Sequence, residues 1–101
     1  MLWAGLLGIL MALPLSQAAA GEAIDRGKIL ANTCAGCHGY EGYSPGPIAP
    51  LAGLEADYIV TSMKAFKKGT RPATVMNRIA KGYSDADIQA MAKYFAQKEA
   101  Q

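Results

Sequence analysis

The sequence predicts an all-α fold, about four helices wrapped around a centre that its own side chains do not fill. Three observations carry that reading. Apolar residues after position 21 recur at helical spacing, and no alternating strand pattern occurs. Residues 34–53 are so rich in glycine and proline that they read as loop. The chain has 101 residues, which allows one domain. Its net charge of +2 is too small to argue for a nucleic-acid partner. One histidine excludes mechanisms needing a His pair, and two cysteines allow at most one intramolecular disulfide. Those three side chains cannot fill a four-ligand structural zinc site without a carboxylate.

Residues 1–20 carry no charge. Leu2 to Leu13 is a short apolar run, followed by Pro14, Ser16 and Ala18-Ala19-Ala20. That is the order of a signal peptide with cleavage near Ala20, so the sequence predicts export to the periplasm. The run is too short, and too broken by Pro14, for the roughly 20 apolar residues of a membrane span, and no stable insertion of the mature chain is expected. The mature domain, 21–101, has 81 residues. Domains of that size often rely on a disulfide, a metal or another staple.

The elements follow in order. Residues 22–32 form the first helix, with Ile24, Gly27 and Ala31 on one face. The next spans residues 55–68, where Ile59, Ser62, Met63 and Phe66 recur at helical spacing. Gly69 ends it, and Lys64, Lys67 and Lys68 suit the negative end of its dipole. Residues 74–81 form a short helix closed by Gly82. The last helix has the strongest start signal: Ser84 and Asp87 have capping-box spacing, with Tyr83 and Ile88 as a hydrophobic staple. Its core face is Ile88, Met91, Ala92 and Phe95.

The chemistry lies in Cys34-Ala35-Gly36-Cys37-His38, which holds both cysteines and the single histidine. A thioredoxin-type pair wants a βαβ context, which is missing. A structural disulfide would close too small a loop to stabilise the domain much. Zinc lacks ligands. Covalent haem accounts best for the spacing: a helical turn presents both sulfurs to the vinyl groups and leaves His38 beneath the iron. The haem would then supply the missing centre of the core. The other imidazole nitrogen needs a hydrogen-bond partner, and a backbone carbonyl in Gly46-Pro47 is the expected one.

The sixth position decides the function. Methionine is the strong candidate, with lysine or an open site behind it. Met63 and Met91 lie on apolar helix faces, where a methionine usually fills core. Met76 sits in an irregular stretch between Arg71-Pro72 and Gly82 and is the preferred ligand. Between Lys64 and Lys81 there are six basic residues and no acidic one. Arg71 and Arg78 flank Met76 and are expected to pair with haem propionates or frame the haem edge.

The mature chain resembles a class I c-type cytochrome over essentially its whole length. The stretches that carry the likeness are residues 31–39, Gly46-Pro47, residues 51–54, residues 65–71 and residues 76–94. The resemblance implies one covalent haem c held by Cys34 and Cys37 and ligated by His38 and Met76. It also implies a crossing of the first and last helices, with Gly27 against Tyr94 or Phe95. A closer likeness, in residues 74–84 and the Met-Lys-Ala-Phe-Lys stretch from Met63, is to the haem subunit of flavocytochrome c sulfide dehydrogenase. That family commonly has two haem domains in one chain, and this chain has room for one. The likeness implies a non-catalytic electron-transfer subunit in sulfide oxidation, with a flavoprotein as redox partner. A free-standing diffusible carrier is the alternative, and a haem sensor or enzyme with an open sixth site a more distant one.

Overall fold

The computed structural model describes residues 26–101 together with Gly5 and Gly8. The signal peptide expected over residues 1–20, its cleavage near Ala20, and the first turn of the first helix with Ile24 lie outside the described residues, those two glycines apart. Helix α1 is described over residues 26–32. It is followed by α2 (Ala35–His38), a 3-10 turn (Tyr40–Gly42), α3 (Ala56–Lys68), α4 (Met76–Ile79), a second 3-10 turn (Ala80–Gly82) and α5 (Asp85–Ala96). No strand occurs among the described residues. The all-α expectation therefore holds, with two additions. Residues 34–53 are not wholly loop, since they contain α2 and the first 3-10 turn. The short helix expected over 74–81 is a single α turn beginning at Met76 and tightening into 3-10 geometry.

Local chemistry sets the ends of the long helices. Gly69 takes the left-handed conformation, φ 75°. Its N–H donates to the Phe66 carbonyl, and the Thr70 N–H donates to that of Ala65. This is the Schellman pattern, which satisfies the last carbonyls of α3. At the start of α5 the Asp87 N–H donates to Ser84 Oγ, and the Ser84 N–H donates back to the Asp87 carboxylate. The expected capping box is thus formed.

Helix α3 packs on α5. The core joins Ile59, Val60 and Met63 of α3 to Ile88, Met91, Ala92 and Phe95 of α5, with Ala31 of α1 and Ala80. All four residues expected on the inner face of α5 are buried. Ile88 and Phe95 are the largest fully buried side chains. Each contributes roughly 1.5–3 kcal/mol by leaving water. Helix α1 crosses α5 at Gly27, where an added Cβ would lie 2.9 Å from the Ala90 carbonyl oxygen and 3.6 Å from Tyr94 Cβ. Of the two aromatic neighbours expected there, Tyr94 is the one at the crossing. Arg26 and Asp87 form an ion pair across the same joint.

Residues 98–101 return across the loop that follows α2. Lys98 lies 3.4 Å from Glu41, and Tyr43 Oη donates to the Glu99 carbonyl at 3.0 Å. Gln101 Nε2 donates to the Ser44 carbonyl at 2.7 Å.

Candidate functional site

Between α2, α3, α4 and the Gly/Pro loop lies a cavity of about 360 Å³. That volume falls in the usual range for ligand and cofactor sites. Cys34, Cys37, His38 and Met76, the four residues singled out from sequence, all lie on its wall. Ile59, Phe66, Ile79 and Phe95 give the wall its apolar character.

Helix α2 explains the clustering. The Cys34 carbonyl accepts from the Cys37 and His38 N–H groups at 3.3 and 2.9 Å. Residues three and four apart on a helical turn share a face, so the C-x-x-C-H spacing sets both sulfurs and the imidazole toward one space. Gly39 turns the chain immediately afterwards, with φ 86°. A Cβ at that residue would stand 2.1 Å from the Tyr43 carbonyl oxygen, so only glycine fits. Both cysteines are free thiols, Cys34 half-buried and Cys37 exposed. Burial pushes the Cys34 thiol above its ordinary pKa, and the hydroxyl of Thr33 offsets this only in part.

His38 Nδ1 lies 2.6 Å from the Ala49 carbonyl oxygen. A carbonyl only accepts, so Nδ1 carries the proton and the Nε2 lone pair is left for a metal. The carbonyl expected in Gly46-Pro47 is corrected to that of Ala49. The Ser44 hydroxyl folds back on Gly46, bonding its carbonyl and amide at 3.2 and 3.4 Å, and the chain beyond that turn reaches the ring.

Three methionines border the cavity, and their settings differ. Met63 and Met91 belong to the buried core of α3 and α5, as their apolar faces predict. Met76 is half-buried at the first position of α4, in a helical turn and not the irregular stretch expected. Among the described residues no group of three or more His, Cys, Asp or Glu side chains is placed to hold a metal ion. Two free thiols, an imidazole with one nitrogen open, a thioether and an apolar wall form a donor set that fits haem.

Sequence reasoning does not find Tyr58, Thr33 or Tyr83 as wall residues. For Tyr58 a signal exists, because Tyr58, Ser62 and Phe66 form an i, i+4, i+8 row on α3. Tyr83 and Thr33 share a hydroxyl–hydroxyl bond beside Cys34, a contact across 50 positions that no local pattern announces. Arg71 also lies on the wall, whereas Arg78 does not.

The family profile described as cytochrome C oxidase, cbb3-type, subunit III matches residues 18–95. Among curated proteins, the chain is 47% identical to the cytochrome subunit of sulfide dehydrogenase from Chlorobaculum tepidum. That match covers 69% of this chain and 64% of that protein, so the chain spans under two thirds of its length. Identity to cytochrome c-554(548) of Halomonas halodenitrificans is 42%, covering 82% of this chain and 98% of that one. Among solved structures, cytochrome c4 of Acidithiobacillus ferrooxidans superposes with a TM-score of 0.69 at 34% identity. It covers 73% of this chain and 49% of the other.

Proposed function

The chain belongs to the cytochrome c family, and on that premise we propose that it is a monohaem electron-transfer protein, the haem subunit that accepts electrons from a flavoprotein sulfide dehydrogenase. The observation that carries the haem assignment is the single cavity wall shared by Cys34, Cys37, His38 and Met76. In this reading Cys34 and Cys37 tether one haem through thioethers, and His38 and Met76 ligate its iron. Bound there, the haem supplies a one-electron ferric/ferrous couple. The protein does the rest. Ala49 holds the imidazole in the tautomer that leaves Nε2 basic. The apolar wall keeps water from the metal, and a thioether in place of a harder ligand raises the potential.

The partner assignment is supported by the 47% identity to a sulfide dehydrogenase cytochrome subunit. Residues 1–20, in this reading, direct export to the periplasm and are removed near Ala20. Among the described residues no helix is long and apolar enough to cross a membrane. A second reading, a free-standing diffusible carrier, draws support from the Halomonas cytochrome, which the match covers over 98% of its length.

Intact mass after acid-acetone extraction tests the haem. The expected result is the polypeptide plus one haem, and a bare polypeptide mass refutes it. Purification from the native source tests the partner. Co-elution with a flavin-containing protein at high salt is expected of a fixed subunit. A lone monomer at both low and high salt overturns that reading in favour of the carrier, whose contacts are electrostatic and weaken as salt rises.

A further inference from the structure

Tyr83 precedes the N-cap of α5, and its half-buried ring packs against the core. A phenylalanine would serve that purpose equally, so the hydroxyl needs a separate account. Thr33 Oγ1 donates its single proton to the Leu30 carbonyl at 2.6 Å. The bond between the two hydroxyls therefore runs from Tyr83 Oη to Thr33 Oγ1. The Tyr83 backbone is held as well, since its carbonyl accepts from Lys67 Nζ of α3 at 2.6 Å.

Both hydroxyl partners stand on the cavity wall with Cys34 and Met76. Thr33 Oγ1 lies 4.0 Å from Cys34 Sγ, and Cys34 caps the turn that ends in His38. Tyr83 closes the run that begins at Met76. The Ile79 N–H donates to the Val75 carbonyl and the Tyr83 N–H to that of Ala80, so α4 and its 3-10 extension form one stack of turns ending at Tyr83. Among the described residues no other hydrogen bond or ion pair joins the Thr33–His38 turn to the Met76–Tyr83 run.

We propose that Tyr83 is a positioning residue for the sixth iron ligand: its hydroxyl ties the Met76 turn to the Cys34–His38 turn and so limits the release of Met76 from the iron. The inference rests on the haem reading above and deepens it. With both cysteines and His38 bound to the haem, the iron moves with α2, whereas Met76 moves with α4. The Met76 thioether and the Tyr83 hydroxyl are then two links in parallel between the same two bodies. Detaching Met76 by moving α4 away breaks both. Removing the hydroxyl shifts the equilibrium toward the detached state by the net worth of that one bond.

The test uses full-length, haem-loaded ferric protein and a spectroscopic titration with cyanide, which must displace Met76 to bind. Tyr83→Phe keeps the ring and its packing, and is expected to raise the apparent cyanide affinity roughly 2- to 12-fold, the factor that one net hydrogen bond is worth. Thr33→Val removes the acceptor at nearly unchanged shape and is expected to raise it within the same range. The double variant should bind cyanide no more tightly than the tighter single variant, because both changes remove one shared bond. Should Tyr83→Phe accumulate poorly, Thr33→Val alone decides by the same criterion. Wild-type cyanide affinity in the single variants, or rises that simply add in the double variant, overturn this inference and leave the haem reading in place. A wild-type preparation without haem, or without the ferric methionine-to-iron charge-transfer band, overturns the haem or Met76 assignment and this inference with it.

Discussion

Replacing Gly27 with alanine sets two effects of opposite sign against each other, and the structure decides which wins. Gly27 is buried in α1, and alanine in place of glycine inside a helix gains about 0.5–1 kcal/mol. The new methyl group would stand 2.9 Å from the Ala90 carbonyl oxygen. That atom belongs to the backbone of α5, so it cannot rotate aside as a side chain would, and α1 must move outward. Overpacking of this kind costs typically ~1–3 kcal/mol. Contact with Tyr94 Cβ at 3.6 Å is ordinary and adds no penalty. Taking the middle of each range, the net expectation is a loss of about 1 kcal/mol, a fall in Tm of roughly 4–8 °C for a domain of this size. Thermal melts of the haem-loaded protein, followed by far-UV circular dichroism, measure it. Gly27→Val should be worse than Gly27→Ala. If Gly27→Ala raises the Tm, propensity has outweighed contact and the two helices do not cross as closely as described.

Two further outcomes are expected. Met76→Ala should lower the midpoint potential and admit carbon monoxide to the ferrous iron, whereas Met63→Leu and Met91→Leu should keep the ferric methionine-to-iron charge-transfer band; loss of that band in Met63→Leu alone identifies a different ligand. The Arg26 guanidinium holds the Asp87 carboxyl below its ordinary pKa, so this pair stabilises the fold above about pH 4 and the benefit is lost as pH falls through the depressed value; Asp87→Asn should therefore flatten the fall in stability on the acid side of about pH 4, and an unchanged acid limb refutes the linkage.

Much of the fold is legible because it is local. The capping box at Ser84 and Asp87 is a spacing rule, and the buried face of α5 is a helical period. The C-x-x-C-H run is equally local, and one turn of backbone converts it into a shared cavity wall. What escapes has long-range causes. Helix α2 has four residues, too few for periodicity to show. The partner of His38 is Ala49 because of how the intervening loop is folded, and nothing in the proline pattern counts those residues. Arg71 and Arg78 are equivalent as letters. Only the row of Tyr58, Ser62 and Phe66, brought beneath one guanidinium by the turn after Gly69, tells them apart.

The bonds from residues 98–101 to Glu41, Tyr43 and Ser44 span 56 or 57 positions in the chain. They brace the segment whose Ala49 carbonyl orients the imidazole. During synthesis Cys34, Cys37 and His38 leave the ribosome long before their distant braces exist, and contacts of such separation are the slowest to form. Until those contacts form, Cys34, Cys37 and His38 are displayed on an unbraced loop. The bracing of the loop by residues 98–101 is then a late step in folding, and the orientation that the Ala49 carbonyl gives the His38 imidazole is among the last features to be fixed.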